Sequence, residues 1–80
     1  MVDMVKRPTR GQLSRAAALL EARAAKHGLA NLRYSDTDGE IVADVAPGKT
    51  YFDIAAFELE VEELFGWTPD VVAASAPGAR

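Results

Sequence analysis

The chain has 80 residues, of which 49% are hydrophobic and 26% are charged, and its net charge is −3. This length holds one small domain, and the lack of cysteine excludes disulfides and thiolate metal sites and suits a reducing cytosol. No run of about 18 apolar residues occurs, so no membrane contact is expected. Composition therefore predicts a small cytoplasmic domain, and any statement about function depends on the motifs.

Charge is divided unevenly along the sequence. Residues 1–33 contain seven basic and two acidic residues, whereas residues 34–80 contain two basic and ten acidic residues. We expect a basic N-terminal arm over residues 1–8, a single domain over 9–73 and a flexible tail over 74–80. Because no aromatic residue lies among the bases, nucleic acid is not the expected partner.

The first predicted element is a helix from Thr9 to His27. Thr9 and Gln12 have the spacing of a capping box, and Gly28 is expected to end the helix. An apolar stripe recurs with the helical period at Leu13, Ala16, Ala17, Leu20 and Ala24. His27 is expected to act as a favourable charge at the helix end rather than in catalysis.

Two short strands, Leu29–Tyr34 and Glu40–Val45, are predicted next. The dipeptide Asp38-Gly39 between them is typical of a tight hairpin turn. The first strand alternates apolar and polar residues near its end, which predicts one buried face. The second strand is apolar at three successive positions, as is usual for a central strand.

A second helix is predicted over Tyr51–Phe65, with Thr50 and Asp53 as its cap and Gly66 as its stop. Its main apolar stripe contains Ile54, Phe57, Val61, Leu64 and Phe65. A second apolar stripe lies nearly opposite and contains Phe52, Ala55 and Leu59. A helix with two apolar faces is either enclosed by its own fold or shared with another chain, and the short chain favours the second interpretation.

The last strand is predicted over Asp70–Ala73, after Pro69. The order of elements is then α-β-β-α-β. This order predicts an α+β fold in which a small mixed three-stranded sheet carries two helices.

Several segments follow the order and spacing of one known family. They are Ile41-Val42-Ala43-Asp44-Val45-Ala46-Pro47-Gly48, Phe52-Asp53-Ile54, Leu59-Glu60-Val61-Glu62-Glu63-Leu64-Phe65-Gly66 and Asp70-Val71-Val72. Over roughly Ala18 to Val72 the chain resembles the minimal nucleotidyltransferase (MNT) family, small relatives of the polymerase β-like nucleotidyltransferases. Many members are encoded beside HEPN-domain proteins as toxin–antitoxin pairs. The resemblance implies a truncated nucleotidyltransferase-like fold.

The resemblance also implies where an active site would lie. The family's Asp-x-Asp pair corresponds to Asp38 and Glu40, and its third carboxylate to Asp70; such carboxylates hold Mg²⁺ on the phosphates of ATP. The family's Gly-Ser loop is missing, because Tyr34-Ser35 stands in its place and only two residues separate Ser35 from Asp38. We therefore expect no catalysis, no metal and no cofactor, and a turn at Asp38 competes with its role as a ligand.

The function predicted from these features is that of a non-catalytic, MNT-like antitoxin. It would bind and neutralise a cognate toxin encoded nearby, by resemblance a HEPN-type ribonuclease. The expected contact residues are Phe52, Ala55 and Leu59, with a polar rim of Glu58, Glu62 and Glu63 and a further aromatic anchor at Trp67. Two alternatives stay open: an active Mg²⁺-dependent enzyme that adenylylates its partner through Asp38, Glu40 and Asp70, and a homodimeric regulatory module that binds DNA.

Overall fold

The computed structural model describes residues 7–35 and 39–74. Its elements, in chain order, are α1 (Arg10–Arg15), α2 (Ala17–Lys26), β1 (Leu29–Tyr34), β2 (Glu40–Val45), α3 (Tyr51–Phe65) and β3 (Asp70–Ala73). The strands form one mixed sheet, and the helices pack on one of its faces. The predicted α+β class is confirmed. Within the described part of the chain, no helix has the length and apolar character needed to cross a membrane.

The single helix predicted over Thr9 to His27 is wrong in one respect, because it is interrupted at Ala16. This residue has φ −96° and ψ 5°, and its N–H is shared between the carbonyls of Gln12 (3.1 Å) and Leu13 (3.2 Å). Shared bonds of this kind are common at helix ends. Neither proline nor glycine marks the position, so sequence signals for helix breaks do not detect it.

The helix caps follow the predicted chemistry. The Thr9 N–H donates to Oε1 of Gln12 at 2.8 Å, and the Gln12 N–H donates to Oγ1 of Thr9 at 3.1 Å. Thr50 and Asp53 form the same reciprocal capping box at the start of α3. At its other end α3 stops at Gly66, whose φ of 82° is in the left-handed region that glycine adopts without strain.

In the sheet, β2 lies in the centre, antiparallel to β1 and parallel to β3. The alternation predicted near the end of β1 is confirmed, because Leu32 is buried and Tyr34 packs against the core. Before it, the strand contains a bulge at Asn31, where φ is 54°. The extra residue shifts the inward positions, so that Leu29 and Leu32 are buried three residues apart. Hydrogen bonds from Asn31 (2.7 Å) and Arg33 (3.0 Å) converge on the Asp44 carboxylate and lower its pKa.

The connection between β1 and β2 is short. The Ser35 N–H donates to the Glu40 carbonyl at 3.2 Å, and Gly39 has a φ of 81°. Gly39 is buried, and a Cβ built on it would lie 3.1 Å from Cβ of Arg7. Asp38, the predicted turn residue, lies outside the described residues.

The ends of the chain are described only in part. Pro8 is fully buried, so this residue, which sequence analysis assigned to the N-terminal arm, packs with the domain. Arg7 of the predicted arm lies 3.7 Å from Asp70, and Ala74, the first residue of the predicted tail, donates its N–H to the Ala43 carbonyl at 2.8 Å. The remaining residues of the arm, 1–6, and of the tail, 75–80, lie outside the described residues.

The hydrophobic core lies between the helices and one face of the sheet. Its buried residues are Leu13, Leu20, Ala24, Leu29, Leu32, Ile41, Ala43, Ile54, Phe57, Val61 and Val71. The main stripe predicted for α3 is thus correct at Ile54, Phe57 and Val61. It is wrong at Leu64, which is 45% exposed, whereas Phe65 is half-buried and packs against the core as predicted.

Candidate functional site

One side of α3 points away from the core and carries large apolar side chains. Phe52 is 83% exposed and Leu59 is 56% exposed, and their spacing of seven residues places them on the same side, two turns apart. We define the outer face of α3 by Phe52, Ala55, Ala56, Leu59, Glu62 and Glu63. Five of these residues belong to the contact surface predicted from the sequence, and they lie together on this face. An exposed aliphatic and aromatic pair on one helix face is typical of a protein-binding surface.

A groove of about 460 Å³ borders the outer face on the side of α2. Its lining consists of Arg23, Ala56, Leu59, Glu60, Glu63 and Leu64. Ala56 and Leu64 are surface residues that the predicted contact surface does not include. Ala56 could have been found, because it lies four positions after Phe52 and three before Leu59. The exposure of Leu64 could not have been found from the sequence, because the helical period places this residue beside the buried stripe. Only the packing of α2 leaves it open to the groove.

The charges of α3 are all negative. The segment Tyr51–Phe65 contains five acidic residues and no lysine or arginine. Three of the acids have partners inside the domain: Asp53 in the cap, Glu58 at β3 and Glu60 at α2. Glu62 and Glu63 are exposed, and their carboxylates form neither a hydrogen bond nor an ion pair with any residue of the described ranges. The outer face therefore ends in two unneutralised carboxylates.

Glu58 does not belong to the outer face. Its Oε2 accepts a hydrogen bond of 2.8 Å from the backbone N–H of Val71, so the side chain points to β3. Burial raises the pKa of the Glu58 carboxyl, the Val71 N–H opposes this rise, and the Asp70 charge adds to it. Glu58 is therefore not part of the rim of the predicted contact surface, because its carboxylate bonds within the fold.

Glu60 joins α3 to the end of α2. Its Oε1 lies 2.6 Å from Nε2 of His27, and its Oε2 accepts a hydrogen bond of 3.0 Å from Arg23. The hydrogen bond with His27 is the main reason why the pKa of Glu60 is lowered, and Arg23 lowers it further. The His27 ring also lies 6.0 Å from the ring of Phe57. His27 therefore has a specific partner on another helix, which local sequence patterns do not reveal.

Trp67 is likewise separate from the outer face. It stacks on Phe65, with ring centroids 4.6 Å apart and an interplanar angle of 12°. Both rings line a second groove of about 470 Å³ together with Gln12, Arg15 and Leu19. Because Phe65 packs against the core, the stacked pair lies on the opposite side of α3 from Phe52. The structure thus divides the predicted contact residues between different surfaces.

Two of the three carboxylates implied by the family resemblance are neighbours in the sheet. Glu40 and Asp70 are paired residues of the parallel strands β2 and β3. Asp70 also lies 3.7 Å from the Arg7 guanidinium, and Asp38 lies outside the described residues. Within 7–35 and 39–74, no three His, Cys, Asp or Glu side chains are grouped so that they could hold a metal ion.

Tyr34 and Ser35, which stand in place of the family's Gly-Ser loop, also lack the features of a phosphate-binding loop. The ring of Tyr34 packs against the core, and its hydroxyl is buried without a hydrogen-bond partner among the described residues. Burial raises the pKa of this hydroxyl, and the Glu21 charge adds to the rise. Phosphate loops instead present free backbone N–H groups at a glycine-rich turn. Among the described residues, the groups at Tyr34 therefore do not fit the triphosphate of ATP.

Comparison with known proteins gives no match: no family model, no curated protein and no solved structure matches this chain. The resemblance to the MNT family therefore depends on motif order alone. The candidate site is accordingly defined by its own geometry, namely the outer face of α3 and the groove beside it.

Proposed function

We propose that this protein acts by binding another protein through the outer face of α3. As the family resemblance implies, the proposed partner is a cognate toxin encoded nearby, of the HEPN ribonuclease type. In this role the protein is a non-catalytic antitoxin. The observation that carries the proposal is the exposure of Phe52 and Leu59 on one helix face.

Burial of this face on a partner would be favourable for a simple reason. Two large apolar side chains that stay in water in the isolated domain would be removed from it, and such burial is the main driving force of association. Their positions two turns apart on a helix also hold them in fixed geometry, which lowers the entropic cost of binding.

The charge of the face suits a ribonuclease as the partner. Enzymes that bind RNA present positive charge along the path of the phosphates. An acidic surface that occupies this path would exclude the RNA and would be attracted over a distance. Glu62 and Glu63 supply such charge next to Leu59.

The proposal is tested by coexpression with the product of the neighbouring gene. We expect the two proteins to copurify, and the double substitution Phe52→Ser with Leu59→Ser to weaken the complex by about tenfold or more. Leu19→Ser is the matched control, because Leu19 is 42% exposed and lies on α2, in the separate groove that contains Trp67. A monodisperse monomer that ignores the gene product would contradict the proposal, as would equal binding by the double variant.

One observation favours a second candidate function. The pairing of Glu40 with Asp70 places two carboxylates side by side, as a Mg²⁺-dependent nucleotidyltransferase requires. Such an enzyme must bind ATP, and binding to the native state raises the melting temperature. A rise in Tm with millimolar ATP and Mg²⁺, lost in Asp70→Asn, would support this candidate. An unchanged Tm together with an unchanged mass of the partner would exclude it.

A further inference from the structure

We infer that the partner meets the outer face of α3 with a basic amphipathic helix, whose cations lie against Glu62 and Glu63. This inference rests on the proposed function, because it specifies the chemistry of the partner at that same surface. It depends on the charges of α3, on the spacing of its exposed side chains and on the groove beside them.

The last turn of α3 contains no basic residue, although a basic side chain there would stabilise the helix. The carbonyl ends of a helix carry a partial negative charge, and cations in the last turn stabilise it. The last turn of α3 contains no basic residue, and Glu62 and Glu63 add two negative charges there. A cation from another molecule would therefore interact favourably with both carboxylates and with the helix end at once. This arrangement selects a positively charged partner.

The α3 helix of a second copy is a poorer occupant of this face. Because Tyr51–Phe65 contains no lysine or arginine, packing α3 against its own copy brings together only acidic helices. Like charges opposed across an interface are unfavourable. A partner with its own basic helix avoids this repulsion.

The spacing of the apolar residues fits a helix as the binding element. Phe52 and Leu59 are about 10 Å apart along the axis of α3, which matches residues one heptad apart on a second helix. Ala56 lies between them, and its small side chain allows a helix to approach closely. The groove beside Leu59 and Leu64 could accept a further apolar side chain from this helix.

The test uses two synthetic helical peptides of about 18 residues that share leucines at heptad spacing. One peptide carries lysine and arginine beside the leucines, and the other carries glutamate at the same positions. We expect the basic peptide to bind about tenfold more tightly in fluorescence anisotropy, and this preference to shrink as salt rises to about 0.5 M. Equal binding of the two peptides would overturn the inference.

Charge reversal locates the contact on α3. The double variant Glu62→Lys with Glu63→Lys is expected to weaken binding of the basic peptide, and of the neighbouring gene product, by about tenfold. Glu21→Lys is the control, because Glu21 is an exposed acid on α2. Thermal melts of each variant verify that the domain is folded.

The outcomes separate the two proposals. If the gene product binds, and binding requires Phe52 and Leu59 but is unaffected by charge reversal at Glu62 and Glu63, the basic-helix inference is overturned while the proposed function stands. If the gene product does not bind at all, the proposed function fails. A dimer of this chain that dissociates in the Phe52→Ser, Leu59→Ser variant would show that the face is occupied by a second copy, which overturns the inference.

Discussion

Nε2 of His27 lies 2.6 Å from Oε1 of Glu60, and this contact ties the end of α2 to the middle of α3. Arg23, one turn earlier on α2, bonds to the second oxygen of the same carboxylate at 3.0 Å. One acidic side chain thus holds two basic groups of the neighbouring helix. Because α3 also presents the proposed binding surface, this contact fixes the helix that carries that surface.

The first prediction concerns stability in acid. Contact with His27 lowers the pKa of Glu60 below its ordinary value of 4.5. The ionised carboxylate therefore stabilises the fold above pH 4.5, and this contribution is lost as the pH falls through the lower pKa of the folded state. Glu60→Gln should lower the Tm at neutral pH and give a shallower decline in acid. Parallel Tm curves for the variant and the natural protein would contradict this, and Glu63→Gln serves as the exposed control.

A comparison of two phenylalanines on α3 separates the core from the outer face. Phe57 is completely buried, and Phe57→Ala should lower the free energy of unfolding by about 3–5 kcal/mol, which in so small a domain removes most of the folded population. Phe52 is 83% exposed, and Phe52→Ala should change the free energy of unfolding by less than about 0.5 kcal/mol. Urea titration followed by circular dichroism measures both. Similar losses in the two variants would show that Phe52 is part of the core.

Glu58 should show the opposite dependence on pH to Glu60. Because burial raises the pKa of the Glu58 carboxyl above 4.5, its favourable contribution is complete below pH 4.5 and is lost as the pH rises through the higher folded pKa. Glu58→Gln keeps an oxygen for the Val71 N–H and should melt at a higher temperature than the natural protein at neutral pH. This difference should disappear in acid. A lower Tm for the glutamine variant at neutral pH would contradict the argument.

A second substitution at the same position tests the hydrogen bond itself. Glu58→Leu removes the acceptor of the Val71 N–H and leaves this donor without its partner on α3. We expect a loss of about 1–3 kcal/mol relative to Glu58→Gln, measured by urea titration. Equal stability of the two variants would mean that water accepts the hydrogen bond of the Val71 N–H in Glu58→Leu.

The bulge in β1 depends on Asn31. Its φ of 54° is accessible to asparagine and glycine but costs a β-branched residue roughly 1–2 kcal/mol. Asn31→Val should therefore destabilise the domain by at least this amount, since it also removes the hydrogen bond to Asp44. Asn31→Gly, which keeps the backbone conformation, should be less harmful. If the two variants unfold at the same urea concentration, the stability of the domain does not depend on the positive φ at residue 31.

Much of the fold follows from local signals. The strands over 29–34, 40–45 and 70–73 and the helix over 51–65 have the predicted bounds, because capping boxes, glycine stops and apolar periods are encoded within a few residues. The break at Ala16 and the bulge at Asn31 were not predicted. Each changes the backbone direction without glycine or proline at the site, so the usual sequence signals of an interruption are absent.

The candidate site was predictable only where it follows helical geometry. The period of α3 places Phe52, Ala55 and Leu59 on one side, and the structure agrees. The helical period does not distinguish the three glutamates Glu58, Glu60 and Glu62 from one another. In the structure, however, Glu58 accepts a hydrogen bond from β3 and Glu60 accepts one from α2, whereas the Glu62 carboxylate bonds to neither element. Which carboxylate is free to meet a partner depends on which neighbouring element lies within hydrogen-bond distance.

The sequence by itself determined the order of the elements, their caps and the existence of a second apolar stripe on α3, since these depend on neighbouring residues along one chain. Only the tertiary structure decided that Glu58 accepts a hydrogen bond from β3 and that His27 and Arg23 both contact Glu60. It also decided that Trp67 stacks on Phe65, on the opposite side of α3 from Phe52. These relationships join residues up to 37 positions apart, and their energies depend on distance and burial, which exist only once the helices are packed on the sheet.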